Sequence, residues 1–318
     1  MDGALTLGPG AIVPTGFLVR QMPGGWDVTS PDGGRLLAAD GSGITPEPPA
    51  GTRPYDCALL DMLGDPAQLG LLRQRGLVAA GTVVAVLPAD HRVSSEEELA
   101  RRCGFWGVEV PQDGDVLTAL SGRAAGASGP PAPGQPRRVL VLGGARSGKS
   151  RHAELRLAAE PRVTYLAAGP YPPGPLPRAD PDWSRRVAAH QSRRPPWWET
   201  VESLDAAAAL RSESQAILFD GAGTWLAGVM QESGAWEDGP PASAQARLTA
   251  KVDELVAAWR DTRAHVVAVS DEVGSSVHPE SRAGRLFRDQ LGWLNQRLAA
   301  ESDEAVLMVA GRALTLPG

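Results

Sequence analysis

Lysine and asparagine are almost missing from this chain. Of 31 Lys and Arg residues only two are lysine, Lys149 and Lys251, and the 318 residues hold a single asparagine, Asn295. That asparagine is followed by Gln296, so the Asn-Lys-x-Asp loop with which signalling GTPases normally select guanine cannot form. This argues against a switch GTPase and for an enzyme. Two cysteines, Cys57 and Cys103, supply neither a disulfide framework nor a C-x-x-C metal site, which points to a reducing cytoplasm. No run of about 18 apolar residues is present, and no basic, apolar leader opens the chain, so neither membrane spanning nor secretion is expected. Excess positive charge is lacking as well. The net charge is −6, carried by residues 1–123 with 9 Arg against 15 Asp and Glu, while the remainder is neutral. A nucleic-acid partner is not expected, and any phosphate ligand must be gripped locally.

What is present centres on Arg138 to Ser150, RVLVLGGARSGKS. The apolar run Val139 to Leu142 leads into Gly143, Gly144, Ala145, Arg146, Ser147, Gly148, Lys149 and Ser150, which fits G-x-x-x-x-G-K-[ST]. Glycines let the backbone curl so that its N–H groups point at phosphate oxygens. In this motif Lys149 reaches the β/γ-phosphates, Ser150 ligates Mg²⁺, and the following helix aims its N-terminus at the anion. Arginine has replaced lysine nearly everywhere except here, where a compact point charge is required.

The length suits one large or two ordinary domains. Residues 1–122 read as a small α/β domain. Cys57 to Leu63 is an expected strand; Asp65 and Pro66 cap a helix as N-cap and N1. Thr82 to Leu87 is a second strand, and Ser94 with Glu97 makes a capping box for a helix over Ser95 to Cys103. Val108 to Val110 closes the unit. His91, the one histidine of this half, reads as a turn or capping residue more readily than a metal ligand. The layout resembles part of a metallo-β-lactamase-like domain, without the clustered histidines such a site needs. Residues 123–136 form a Pro/Gly/Ala linker. Residues 137–318 then alternate strands and helices. The expected strands are Val163 to Ala167, Ala216 to Phe219, Val266 to Ser270 and Ala305 to Ala310. The expected helices cover Trp183 to Ser192, Ala244 to Trp259 and Pro279 to Glu301, the last with an inner stripe of Ala283, Phe287, Leu291, Leu294 and Leu298. The fold class is α/β: a P-loop NTPase-type, mostly parallel, doubly wound sheet preceded by a smaller α/β domain, with the site at the strands' carboxyl ends.

Asp220 ends an apolar strand, where the second Mg²⁺ carboxylate of a phosphate-loop enzyme stands; the plainer reading is a strand-end turn residue. Glu272 could orient water, metal or substrate, or cap its own turn. Ala167 at the end of its strand, with Ala168 and Gly169 of the small-residue turn Ala168-Gly169-Pro170, is assigned to nucleotide binding. His190 lies among Arg185, Arg186, Arg193 and Arg194. Its spacing suits a core residue, whereas the arginines would hold phosphates and keep a neutral imidazole nitrogen available as nucleophile. His152, His265 and His278 read as structural.

From Val139 onward the residues resemble the bifunctional adenosylcobinamide kinase / adenosylcobinamide-phosphate guanylyltransferase family of cobalamin biosynthesis. The similarity rests on Gly143 to Glu154, on Tyr165-Leu166-Ala167, on His190 to Pro195 with Trp198, Thr200 and Glu202 (H-x-x-x-R-P-x-x-W-x-T-x-E), and on a C-terminal block of Glu272-Val273-Gly274, Pro279, Arg285 to Asp289, Gly292 and Asn295 to Arg297. The resemblance implies phosphorylation of adenosylcobinamide by ATP or GTP, then transfer of GMP from GTP through a histidine phosphoramidate onto adenosylcobinamide phosphate. It makes His190 the nucleotide carrier, with Lys149 and Asp220 as the other catalytic residues. Guanine contacts fall on Gln191, Ser192, Arg193, Arg194 and Glu202, Mg²⁺ on Ser150 and Asp220, and the assembly is a homotrimer. Ser270-Asp271 stands where the family has Thr/Ser-Asn, Ser276 where glycine is common, and Gly221-Ala222-Gly223 where it has bulkier residues. Two other functions compatible with the motifs are a phosphate-loop small-molecule kinase without guanylyl transfer and a nucleotide-responsive binding protein.

Overall fold

The computed structural model describes residues 15–87, 92–93, 95–112, 115, 117, 137–168, 194–237, 241–275 and 278–318. The described residues fall into two compact units, one drawn from Met1–Pro133 and Ala158–Pro161, the other from Gly134–Leu157 and Arg162–Gly318. The expected linker, His91 and the helix over Trp183 to Ser192 lie outside the described residues.

In the first unit β1 (Leu18–Met22), β2 (Gly25–Thr29) and β3 (Arg35–Ala39) form an antiparallel meander, and β4 (Cys57–Leu60) and β5 (Val83–Val86) extend it in parallel. Helices α1 (Ala67–Gln74) and α2 (Glu96–Trp106) contribute the buried Leu69, Leu72, Leu99 and Trp106. The expected β4 is shortened because Asp61 leaves the ladder to pair with Arg92 at 2.9 Å and to accept from the Gly64 amide. The caps also shift. Pro66 is already helical at the N-cap, while Asp65 accepts from the Ala67 amide at 3.0 Å. Ser95 rather than Ser94 caps α2, accepting from the Glu98 amide, and Glu98 turns to Arg101 and Arg102 instead of closing a box. A Ser-Ser-Glu-Glu-Glu run offers two registers of equal local chemistry, and packing selects one. The stretch Val108 to Val110 reduces to one bridge between Glu109 and Ala85. Burial pushes both thiols, Cys57 and Cys103, up to about 11, so neither is a nucleophile near neutrality.

The second unit follows the phosphate-loop pattern. Its elements in order are β6 (Arg137–Gly143), α3 (Lys149–Leu157), β7 (Thr164–Ala167), β8 (Glu199–Glu202), α4 (Ala206–Leu210), β9 (Ala216–Asp220), α5 (Ala222–Ser233), α6 (Ala244–Asp261), β10 (His265–Asp271), α7 (Arg282–Ala300), β11 (Glu304–Val309) and β12 (Arg312–Leu316). The sheet runs β12-β11-β6-β10-β9-β7-β8, parallel throughout except for the β11–β12 hairpin. Strand alternation divides the core: Val139 and Val141 face Ala153 and Leu157 of α3, while Leu140 and Leu142 face Trp225, Leu255, Trp259, Leu291 and Leu294. Apolar faces on both sides require helices on both sides, which is the doubly wound arrangement. Among the described residues no helix is long and apolar enough to cross a membrane.

Four elements were not expected from the pattern. Strands β8 and β12 are exposed edge strands without an apolar run, and α4 is only five residues long. Helix α5 opens on Ala-Gly and is apolar on most of its surface, so it carries little of the two-faced contrast by which a helix is recognised. Along α7 the inner stripe is as read at Leu291, Leu294 and Leu298, with Ser281 capping by accepting from the Gly284 amide.

One ion-pair network is buried. Arg156 of α3, 3% exposed, donates to Glu304 Oε1 at 3.0 Å, and Arg137 binds the other carboxylate oxygen. Burial opposes ionisation of Glu304, but hydrogen bonds and charge from Arg156 and Arg137 outweigh it and hold the carboxyl below its ordinary value of 4.5. Its contribution is therefore present above about pH 4.5 and lost as pH falls through the lower folded value. Glu304→Gln removes the charge that Arg156 and Arg137 share and is expected to destabilise by about 3–5 kcal/mol. Urea unfolding at pH 7 and pH 4 checks this: the wild type should lose more stability on acidification than the variant.

Candidate functional site

The site is built at the carboxyl ends of the parallel strands. Strand β6 ends at Gly143, and the chain turns through Gly144, Ala145 and Arg146, all exposed, before Ser147 is buried and α3 begins at Lys149. Arg146 has φ +55° and Gly148 φ +96°, so consecutive amides are curled toward one side. At Gly148 a Cβ would also come within 3.3 Å of the Gly311 Cα. The loop is pinned from two directions: Gly311 donates to the Ser147 carbonyl at 2.9 Å and Glu272 to the Gly143 carbonyl at 3.1 Å. The free amides at the start of α3, with the helix dipole, leave a concave surface suited to an anion.

Three strands bring polar side chains to this loop. Asp220 ends β9; its Oδ1 accepts from the Ser150 hydroxyl at 3.4 Å and its Oδ2 from the Tyr165 hydroxyl at 2.8 Å. Tyr165 is buried in β7, and burial, together with the Asp220 charge, raises its phenol far above the ordinary 10, so it stays a neutral donor. The Arg194 guanidinium lies 3.4 Å from the Tyr165 ring centroid, a cation–π contact. Asp271 ends β10, and its Oδ1 accepts from Lys149 Nζ at 2.8 Å; Lys149 also donates to the Gly144 carbonyl at 3.1 Å.

Of the residues singled out from the sequence, Gly143 to Ser150, Asp220 and Ala167 meet along one edge. Ala167 pairs in register with Asp220 on one side and Glu202 on the other, and Ala168 is buried just beyond it. Glu202 is exposed at the end of the edge strand, away from the loop in strand order. His190, Gln191, Ser192, Arg193 and Gly169 lie outside the described residues. Glu272 spends its carboxylate on its own turn, accepting from the Gly274 and Ser275 amides at 2.8 and 3.3 Å. His152 is buried beside Arg156, His265 opens β10 at the opposite end from the loop, and His278 contacts Arg288. Sequence reasoning missed Asp271, Tyr165 and Asn295 as site-forming residues. The signal for Asp271 was the one that pointed to Asp220, an acidic residue closing an apolar strand.

The oxygen pair of Ser150 and Asp220 is the donor set a hard divalent cation takes with few protein ligands, so the residues fit Mg²⁺. Among the described residues there is no cluster of three or more His, Cys, Asp or Glu to hold a softer metal. A central parallel sheet, a glycine loop feeding a helix that opens on Lys-Ser, and a carboxylate opposite the serine define an α/β P-loop nucleotide-binding protein. The family described as cobinamide kinase / cobinamide phosphate guanyltransferase matches residues 139–316, more than half of the chain, and the chain belongs to that family. The bifunctional adenosylcobalamin biosynthesis protein CobU of Salmonella typhimurium is 37% identical over 181 residues, covering 54% of this chain and 96% of the relative. Its Escherichia coli counterpart is 34% identical over 180 residues with the same coverage. The protein CobP of Pseudomonas aeruginosa, which carries the same bifunctional description, is 36% identical over 187 residues, 57% of this chain and 98% of the relative. The matched residues begin at Val139, so β1 to β5 lie outside them.

Proposed function

We propose that the second unit phosphorylates adenosylcobinamide with ATP or GTP and then transfers GMP from GTP onto adenosylcobinamide phosphate, through an adduct on His190. The observation that carries this is the meeting of Lys149, Ser150 and Asp220 at one strand edge inside the stretch that matches the family.

In this reading the loop amides and the α3 N-terminus bind the triphosphate, and Lys149 offsets charge on its β/γ-phosphates as it moves to the leaving group. Ser150 and Asp220 hold Mg²⁺, which supplies charge neutralisation on the phosphates when bound. Tyr165 fixes the Asp220 carboxylate so that one oxygen faces Ser150. In the second reaction a neutral imidazole nitrogen of His190 attacks the α-phosphorus of GTP. The N–P bond forms as the bond to pyrophosphate breaks, and the substrate phosphate oxygen then displaces the imidazole. Support comes from Arg194, four residues after His190, whose guanidinium rests on the ring that binds Asp220. Four residues of chain reach about 14 Å at most. Gln191 to Arg194 and Glu202 would contact guanine. A homotrimer and a cytoplasmic location complete the reading. The exposed Val309, Leu314 and Leu316 on the edge hairpin support association, and the two free thiols support a reducing compartment.

The test is trapping. Incubated with α-labelled GTP and Mg²⁺, the full chain is expected to retain label that survives base and is released by acid, as phosphoramidates are. ATP consumption with adenosylcobinamide but no trapped label would leave a plain kinase. Absence of both the trapped label and ATP consumption would overturn the enzyme reading.

A further inference from the structure

We propose that Asp271 makes the nucleotide site selective for the metal complex of the triphosphate over the free anion, an inference that rests on the nucleotide reading of the loop. The loop lysine is not waiting uncompensated. Its ammonium is 2.8 Å from Asp271 Oδ1; the Lys149 side chain is 15% exposed and that of Asp271 44%. The backbone that carries the carboxylate is held where it is. Asp271 is in register with Gly143 on the neighbouring strand, which ties it to the start of the loop. Its carbonyl accepts from Asn295 Nδ2 at 3.0 Å, and Asn295, the only asparagine of the chain, is itself buried and accepts from the Ser270 hydroxyl at 2.6 Å. Its other carboxylate oxygen lies over Gly223, where a Cβ would approach to 3.2 Å.

The neighbouring carboxylates are otherwise engaged: Asp220 with Ser150 and Tyr165, Glu272 with its own turn. Asp271 is therefore the charge that a triphosphate on this loop would meet beside Lys149. A free nucleotide brings several negative charges to a pair that is already neutral, and Asp271 stands beside them as a like charge. A nucleotide whose phosphates are neutralised by a divalent cation at Ser150 and Asp220 meets far less repulsion. Asparagine at 271 would keep the shape and remove the charge.

Equilibrium binding of a fluorescent GTP analogue to the full chain separates these cases, measured for wild type, Asp271→Asn and Asp271→Ser, in EDTA and in excess Mg²⁺. Removing the like charge is expected to tighten metal-free binding about tenfold or more while changing binding in Mg²⁺ by less than about threefold. The gain should shrink with added salt, because the charges are part-exposed. Circular dichroism melting of each variant establishes that it is folded. Wild type that binds in Mg²⁺, with both folded variants no tighter than wild type in EDTA, overturns the inference and leaves the nucleotide site standing. Wild type that fails to bind even in Mg²⁺ overturns the nucleotide reading itself.

Discussion

Lys149→Ala is expected to lower kcat/KM of both transfer reactions by about 10²–10³-fold, the scale on which a preorganised charge at a developing anion acts. The reason is local. Only one other lysine exists in the chain, Lys251, and it is exposed on α6 beside Glu254. Among the described residues no second ammonium can take over. The loss is compounded because removing the ammonium leaves Asp271 unpaired beside the phosphates. Asp271→Asn should therefore tighten nucleotide binding more in the Lys149→Ala background than in the wild type, a non-additivity of the kind expected for residues in contact. Steady-state kinetics of each step and nucleotide titration of the four proteins check this. Additive effects would show that the 2.8 Å pair does not govern binding. Lys149→Arg is not a conservative rescue, since the planar guanidinium cannot occupy a pocket shaped for a point charge.

His190→Ala is expected to abolish the base-stable, acid-labile label from α-labelled GTP while leaving phosphorylation of adenosylcobinamide in place. In the proposed reading the kinase step uses the loop, Ser150 and Asp220 and needs no bond to the imidazole. Guanylyl transfer, in the same reading, would pass its phosphorus through the imidazole nitrogen, so deletion of the ring would remove the acceptor rather than weaken it. Mass spectrometry of the trapped protein locates the adduct. Label that persists in the variant assigns the nucleophile elsewhere, and loss of both activities in a folded variant would mean that the two steps share the histidine.

Much of the second unit was legible along the chain because its signals are local. An apolar tetrapeptide before a glycine loop, a Lys-Ser pair opening a helix, and an acidic residue closing a buried strand each declare themselves within about ten residues. The inner stripe of α7 does so by its period. Elements whose character depends on their neighbours were not legible. Strand β8, ETVE, has no apolar face and exists because the β7 edge offers it a ladder; α5 is apolar over most of its length and so shows little polar face to contrast with an apolar one. The capping register of α2 was equally open, since Ser94 and Ser95 are each followed three residues later by a glutamate.

By itself the sequence determined that this chain carries a phosphate loop with its lysine and serine, the alternation of its principal strands and helices, and which family its residues from Val139 onward belong to. Only the tertiary structure decided that β10 lies between β6 and β9, and hence that Asp271 reaches Lys149 while Asp220 is shared by Ser150 and Tyr165. The physical reason is range: hydrogen-bonding period and side-chain preference act over a turn or a strand, whereas contacts between residues 55 and 70 positions apart, and further, exist only once the strand order is set.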